Sequence, residues 1–156
     1  MSDWYTVYPR TLVFLVRGDE VLLIRRSPHA RLFPGLFNGV GGHVERGEDI
    51  LSAAIREVEE EAGLHIETLQ LRAILNIASS QLNQNGHESM CNNEPGALVF
   101  IFVGYPPPGE TVSERAGELR WVPLNRLREL PVVPDLHDIL PRILERQDAT
   151  PLFLSA

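Results

Sequence analysis

The chain of 156 residues contains no lysine, so arginine supplies all 14 of its Lys/Arg cations against 21 Asp and Glu, for a formal net charge of −7. Without a cationic excess, a duplex-DNA binder that relies on a broad basic face is disfavoured. A small anionic ligand is not excluded, because a bound metal ion inverts the local sign of charge. The single cysteine, Cys91, excludes an internal disulfide framework and a multi-cysteine metal centre, which fits a reducing compartment. No apolar run approaches the roughly 20 residues that span a bilayer. The opening Met-Ser-Asp-Trp-Tyr lacks the basic and apolar regions of a signal peptide, and a cytoplasmic location without membrane attachment is expected. There is no internal repeat and no shift of composition, so residues 1–156 are read as one domain.

What is present is a mixture of strand and helix patterns. Apolar, β-branched runs at 11–16 and 21–24 flank Arg17-Gly18-Asp19-Glu20 and predict a β-hairpin. A loop follows over 25–36, broken by Pro28, Pro34 and Gly35, and then the glycine-rich segment Asn38-Gly39-Val40-Gly41-Gly42. Residues 49–62 predict the clearest helix, with Leu51, Ala54, Ile55, Val58 and Ala62 as its buried stripe. Asp49 or Glu48 marks its start and Gly63 its stop. Runs at 69–78, 97–105 and 119–122 read as strands, and 136–144 as a second helix in which Pro141 predicts a kink or a later start. The polar stretch 81–96 is a long connection, read either as a flap near a ligand or as a plain hairpin loop. Together these elements give a mixed α+β domain.

Within the first helix, Glu57, Glu60 and Glu61 are spaced i, i+3, i+4 and are expected on one side, roughly opposite the apolar stripe. A solvated acidic face is the bland reading. Yet these charges stand near the helix C-terminus, where the dipole disfavours them. Two carboxylates about 5 Å apart repel by about 3 kcal/mol at an effective dielectric near 20. A divalent cation converts that repulsion into binding. Oxygen ligands without cysteines favour Mg²⁺ or Mn²⁺ over zinc.

From Gly42 the chain reads Gly-x5-Glu48-x7-Arg56-Glu57-Val58-x-Glu60-Glu61-x-Gly63-Leu64. Its seven fixed positions, two Gly, four Glu and one Arg, would coincide by chance at about one in 10⁸ starting positions at average usage. The pattern matches the Nudix box at every specified position, and residues 5–145 resemble the Nudix hydrolase family, MutT-type. The resemblance implies an α/β/α sandwich with a mixed sheet and a loop–helix–loop catalytic segment. It further implies Mg²⁺-dependent hydrolysis (Mn²⁺ as the alternative) of a phosphoanhydride in a nucleoside diphosphate derivative. By that resemblance Glu57, Glu60, Glu61 and the Gly41 carbonyl are metal ligands, and Arg56 orients a carboxylate. Glu48, Gly42 and Gly63 support the loop and helix ends. The proton-accepting base is left open among Glu57 and Glu61 on the helix and Glu114 and Glu118 outside it. Arg25 and Arg26 are candidates for phosphate contact, against a solvated strand-end pair.

The substrate is less legible. The Asn38-Gly-x-Gly-Gly lead-in resembles enzymes that destroy oxidised purine triphosphates, in which the Asn bonds the purine; the alternative is an Asn serving the turn. Asp135, after Val133-Pro134, resembles a base reader in the same enzymes, with N-capping of the last helix as the alternative. Ser79, Ser80 and Gln81 disfavour ADP-ribose and diadenosine polyphosphate specificities. The expected activity is therefore a nucleoside triphosphate pyrophosphohydrolase, with oxidised purine nucleotides as one candidate substrate class. Its rivals are hydrolysis of ADP-ribose, a dinucleotide, a nucleotide sugar or dihydroneopterin triphosphate, and a nucleotide-sensing module without turnover. The expected partner is a small nucleotide, and a homodimer is one option for assembly.

Overall fold

The structure, a computed structural model, describes residues 4–30, 33–79, 94–109 and 118–156. Most of the 81–96 connection, together with Cys91 and Glu114, lies outside the described residues. Strand β1 (Val7–Arg17) and β2 (Glu20–Arg25) form the expected hairpin, with Val16 opposite Val21 and Gly18 at φ 58° in the turn. Two short strands, β3 (Phe37–Asn38) and β4 (Val40–His43), run through the glycine-rich segment. Helix α1 (Ile50–Ala62) follows, then β5 (Gln70–Ile77), β6 (Gly96–Gly104) and β7 (Leu119–Pro123). A 3₁₀ turn (Leu124–Glu129), helix α2 (Leu136–Leu144) and β8 (Leu152–Ser155) complete the order.

The strands run β3-β2-β1-β6-β5-β8, with β4 on β1 and β7 on β2. The sheet is mixed: β1 is parallel to β6 and β5 to β8, while the other named pairs are antiparallel. Alternation along β1 divides the core in two. Val13 and Leu15 pack with Ala54, Val58 and Ala62 of α1. Phe14 and Val16 pack on the opposite face with Leu136, Leu140 and Ile143 of α2. A helix therefore covers each face, which is the α/β/α sandwich. Among the described residues, no helix is long and apolar enough to cross a membrane.

Helix α1 starts and stops as its sequence directs. The Asp49 carboxylate caps it by accepting the Ser52 amide at 2.8 Å and the Ser52 hydroxyl at 2.6 Å. Gly63 ends it at φ 67°, donating its N–H to Glu59 O, a left-handed conformation that costs a side-chain-bearing residue about 1–2 kcal/mol. Gly63→Ala is thus expected to lower Tm by about 2–8 °C in a thermal melt; an unchanged Tm would show the cap to be dispensable.

Two expectations are corrected, and one of two alternatives falls away. Leu51 is exposed, and the buried positions of α1 are Ala53, Ala54, Val58 and Ala62. At 100° per residue Glu57 and Glu61 fall inside that buried arc, so they face β4 and do not lie opposite the apolar stripe. Helix α2 begins at Leu136, ahead of Pro141. Proline there removes one backbone bond, and the burial of Leu136, Leu140 and Ile143 holds the turn regardless. Strand β8 and the 3₁₀ turn carried no recognised pattern, both being four to six residues long.

Candidate active site

The site is assembled where β4 meets α1. In the intervening loop the Glu45 and Glu48 backbones hydrogen-bond, and the Glu48 carboxylate accepts the Glu45 amide at 3.1 Å. This fixes Glu48 so that it faces Arg56, about two helical turns beyond the cap. The Arg56 guanidinium donates to both Glu48 oxygens, at 2.8 and 3.0 Å. It also donates to Glu57 Oε1 at 3.0 Å, Glu60 Oε2 at 3.2 Å and the His43 carbonyl at 3.2 Å. A planar fork with several fixed donors suits this role; a lysine ammonium could not span these partners. Arg56 is held firmly protonated by the hydrogen bonds to Glu48 and then Glu57, and Glu48 is held below the usual carboxylate range chiefly by Arg56.

The other side of the cluster is β4. A Cβ on Gly42 would collide with the Glu57 carboxylate, so glycine is required for that carboxylate to lie against the strand. A Cβ on Gly41 would collide with the Thr11 carbonyl of β1. The Gly41 amide donates to Glu61 Oε2 at 3.4 Å. Glu57 is 12% exposed and Glu60 59% exposed at the side chain. Glu61 is half-buried, and burial first, then the Glu57 charge, push its pKa up to about 7.

That shift has a measurable consequence in the metal-free protein. A carboxyl whose folded pKa lies above its ordinary 4.5 binds its proton more tightly folded than unfolded. The Glu61 contribution to stability is therefore fully present below about pH 4.5 and is lost as pH rises through about 7. In chelator, Glu61→Gln is expected to be more stable than the parent at pH 8, by about 1–2 kcal/mol after allowance for solvent screening, and equal to it near pH 4.5. A variant less stable than the parent at pH 8 would contradict this.

Among the described residues, no three His, Cys, Asp or Glu side chains converge as a metal cage. Arg56 draws Glu57 and Glu60 toward itself, while Glu61 rests on the Gly41 amide. The donor set nonetheless fits a hard divalent cation. It offers carboxylate oxygens of Glu57, Glu60 and Glu61 beside the Gly41 backbone, a cradle kept open by Gly42, and mutual repulsion that a cation relieves.

A cavity of about 460 Å³ adjoins this cluster, between the sheet and α2. Gly41, Arg26, Asn38 and Asp135 all line it, over a floor that includes Leu12, Phe14 and Ile101. Asn38 Oδ1 accepts the Gly39 amide at 2.8 Å, which is the turn role. Asp135 occupies the N-cap position of α2 at φ 67°, and its side chain makes no capping hydrogen bond there. Arg25 is not brought to the cavity: its Nε donates to the Gly35 carbonyl at 2.9 Å, and its guanidinium lies 5.9 Å from the Phe37 ring centre. The Arg25/Arg26 pair is therefore split, because successive residues on a strand end point to opposite faces. Trp121 packs on the α1 side beneath the Arg17 guanidinium, 4.1 Å above its ring.

Sequence reasoning passed over β1 as a source of cavity residues. Arg10, Leu12 and Phe14 line the cavity, and the signal was a charged residue in register with inward apolar positions. It also missed β8, whose Leu154 contributes a wall.

A family profile described as NUDIX domain matches residues 7–143. The Nudix hydrolase YvcI of Bacillus subtilis is 27% identical over 143 residues, covering 91% of this chain and 83% of that protein. The NAD-capped RNA hydrolase NudC of Stutzerimonas stutzeri is 44% identical over 125 residues, 79% of this chain and 39% of that protein. Against the NudC of Pseudomonas aeruginosa the match covers 21% of the relative's length, so this chain spans only a part of those proteins. Among solved structures, the MutT protein of Bacillus halodurans superposes with a TM-score of 0.70 at 22% identity, covering 94% of this chain and 87% of that one. With the box residues gathered at one end of such a sandwich, the chain belongs to the Nudix family.

Proposed function

We propose that the protein is a divalent-metal-dependent pyrophosphohydrolase acting on a nucleoside diphosphate derivative, with a nucleoside triphosphate as the substrate and oxidised purines as the preferred bases. The observation that carries the reading is the junction of the box carboxylates with a nucleotide-sized cavity through Gly41, which belongs to both. Glu57, Glu60, Glu61 and the Gly41 carbonyl would hold Mg²⁺, with Mn²⁺ as the alternative. When bound, the cation neutralises phosphate oxygens and makes water a better nucleophile. Arg56 aims Glu57 and Glu60 through its hydrogen bonds to them; Glu57 or Glu61 accepts the water proton, with Glu114 as the further candidate. Arg26 contacts a phosphate from the cavity wall. Asn38 has its Oδ1 occupied by Gly39, so it addresses a base edge through its amide nitrogen. Asp135 reads the base as an acceptor, a role supported by a side chain that does not cap α2.

The 44% identity to a NAD-capped RNA hydrolase favours one second reading, a dinucleotide or NAD-type substrate. A hydrolysis panel with Mg²⁺ or Mn²⁺ separates them: nucleoside triphosphates, oxidised purine triphosphates, ADP-ribose, NAD and diadenosine polyphosphates. The expected result is release of pyrophosphate from a triphosphate, with Asp135→Ala altering base preference more than rate. Turnover of NAD alone would favour the second reading, and turnover of nothing would overturn the enzyme.

A further inference from the structure

Arg10 stands out as a charged residue on the cavity face of β1, in register with Leu12 and Phe14, and it lines the same cavity. Across the ladder it pairs with His43, next to the Gly41–Gly42 segment that seats the carboxylates. Arg26 reaches the cavity from the end of β2. The two guanidiniums are near enough to oppose each other: burial first, and then Arg10, pull Arg26 below its ordinary value, with Glu61 countering. Among the described residues the Arg10 side chain forms no ion pair and no hydrogen bond. Two partly buried cations facing one cavity repel each other, and an anion placed between them would reverse that sign.

We propose that Arg10, together with Arg26, clamps the polyphosphate chain of the nucleotide, so that the cavity selects ligands with two or more phosphates over nucleosides. The inference rests on the nucleotide reading above and adds a residue from outside the Nudix box. Guanidinium forks bind phosphate oxygens in pairs, which makes arginine the fitting residue at this place. The apolar floor beneath the clamp is then left for the base.

The test is calorimetric binding of inorganic tripolyphosphate and of adenosine to the full chain in excess chelator at low ionic strength. Arg10→Gln is expected to weaken tripolyphosphate about ten-fold or more and to leave adenosine within about two-fold, while Arg10→Lys retains most tripolyphosphate affinity. Unchanged tripolyphosphate binding in Arg10→Gln, equal loss for both ligands, or no tripolyphosphate binding by the parent protein would each overturn the proposal. Equal loss would make Arg10 a cavity wall or a base-stacking residue. Because the assay contains no turnover, a parent protein that hydrolyses nothing and still binds tripolyphosphate through Arg10 would sink the hydrolase reading and leave the clamp standing.

Discussion

Replacing Glu57 by Gln is expected to lower kcat by about 10²–10³-fold while leaving thermal unfolding nearly unchanged. The substitution keeps the shape of a side chain that is 12% exposed and seated against Gly42. It removes one negative charge from the point where Arg56 and Glu61 both act on it. Loss of a single preorganised electrostatic partner in an active site costs on the order of 3–4 kcal/mol of barrier, which is the stated range of rate. The measurement is a metal titration of kcat together with a melt. Activity within three-fold of the parent would remove Glu57 from the site, and a collapsed melt would make its role structural.

The second large effect concerns Arg56. Truncation to Ala leaves the Glu48, Glu57 and Glu60 carboxylates without the donor they share, and frees the His43 carbonyl of the loop. Stability is expected to fall by about 2–3 kcal/mol, or about 4–12 °C in Tm, because two of the carboxylates left behind, Glu48 and Glu57, are mostly covered. Activity is expected to fall by about 100-fold as Glu57 and Glu60 lose their aim. Arg56→Lys separates charge from geometry. A lysine restores the sign and cannot grip Glu48 with two parallel bonds, so most of the activity loss should persist while much of the stability returns. Full activity in Arg56→Lys would show that only the charge matters.

How far the sequence carries can be judged at particular residues. The hairpin, α1 with its Asp49 and Gly63 ends, and the later strands follow local periodicity and capping chemistry, so one chain suffices to read them. The box residues were legible because their spacing is dictated by one rigid helix. The facing of Glu57 and Glu61 was misjudged because amphipathic reasoning assigns carboxylates to solvent, whereas here a glycine strand makes room for them. Arg25 and Arg26 were indistinguishable until strand direction separated them. The cavity lies between β1, β3, α2 and β8, elements brought together by long-range pairing that no local pattern records.

The alternation along β1 bears on how such an enzyme can change. Val13 and Leu15 seat the helix that holds the carboxylates, and Arg10, Leu12 and Phe14 point into the cavity. One strand therefore carries two independent sets of positions, interleaved at every second residue. Substitutions in the cavity set can retune recognition while the helix keeps its footing, so selectivity can drift over generations at constant chemistry. A one-residue insertion within the strand would exchange the two sets and spoil both together.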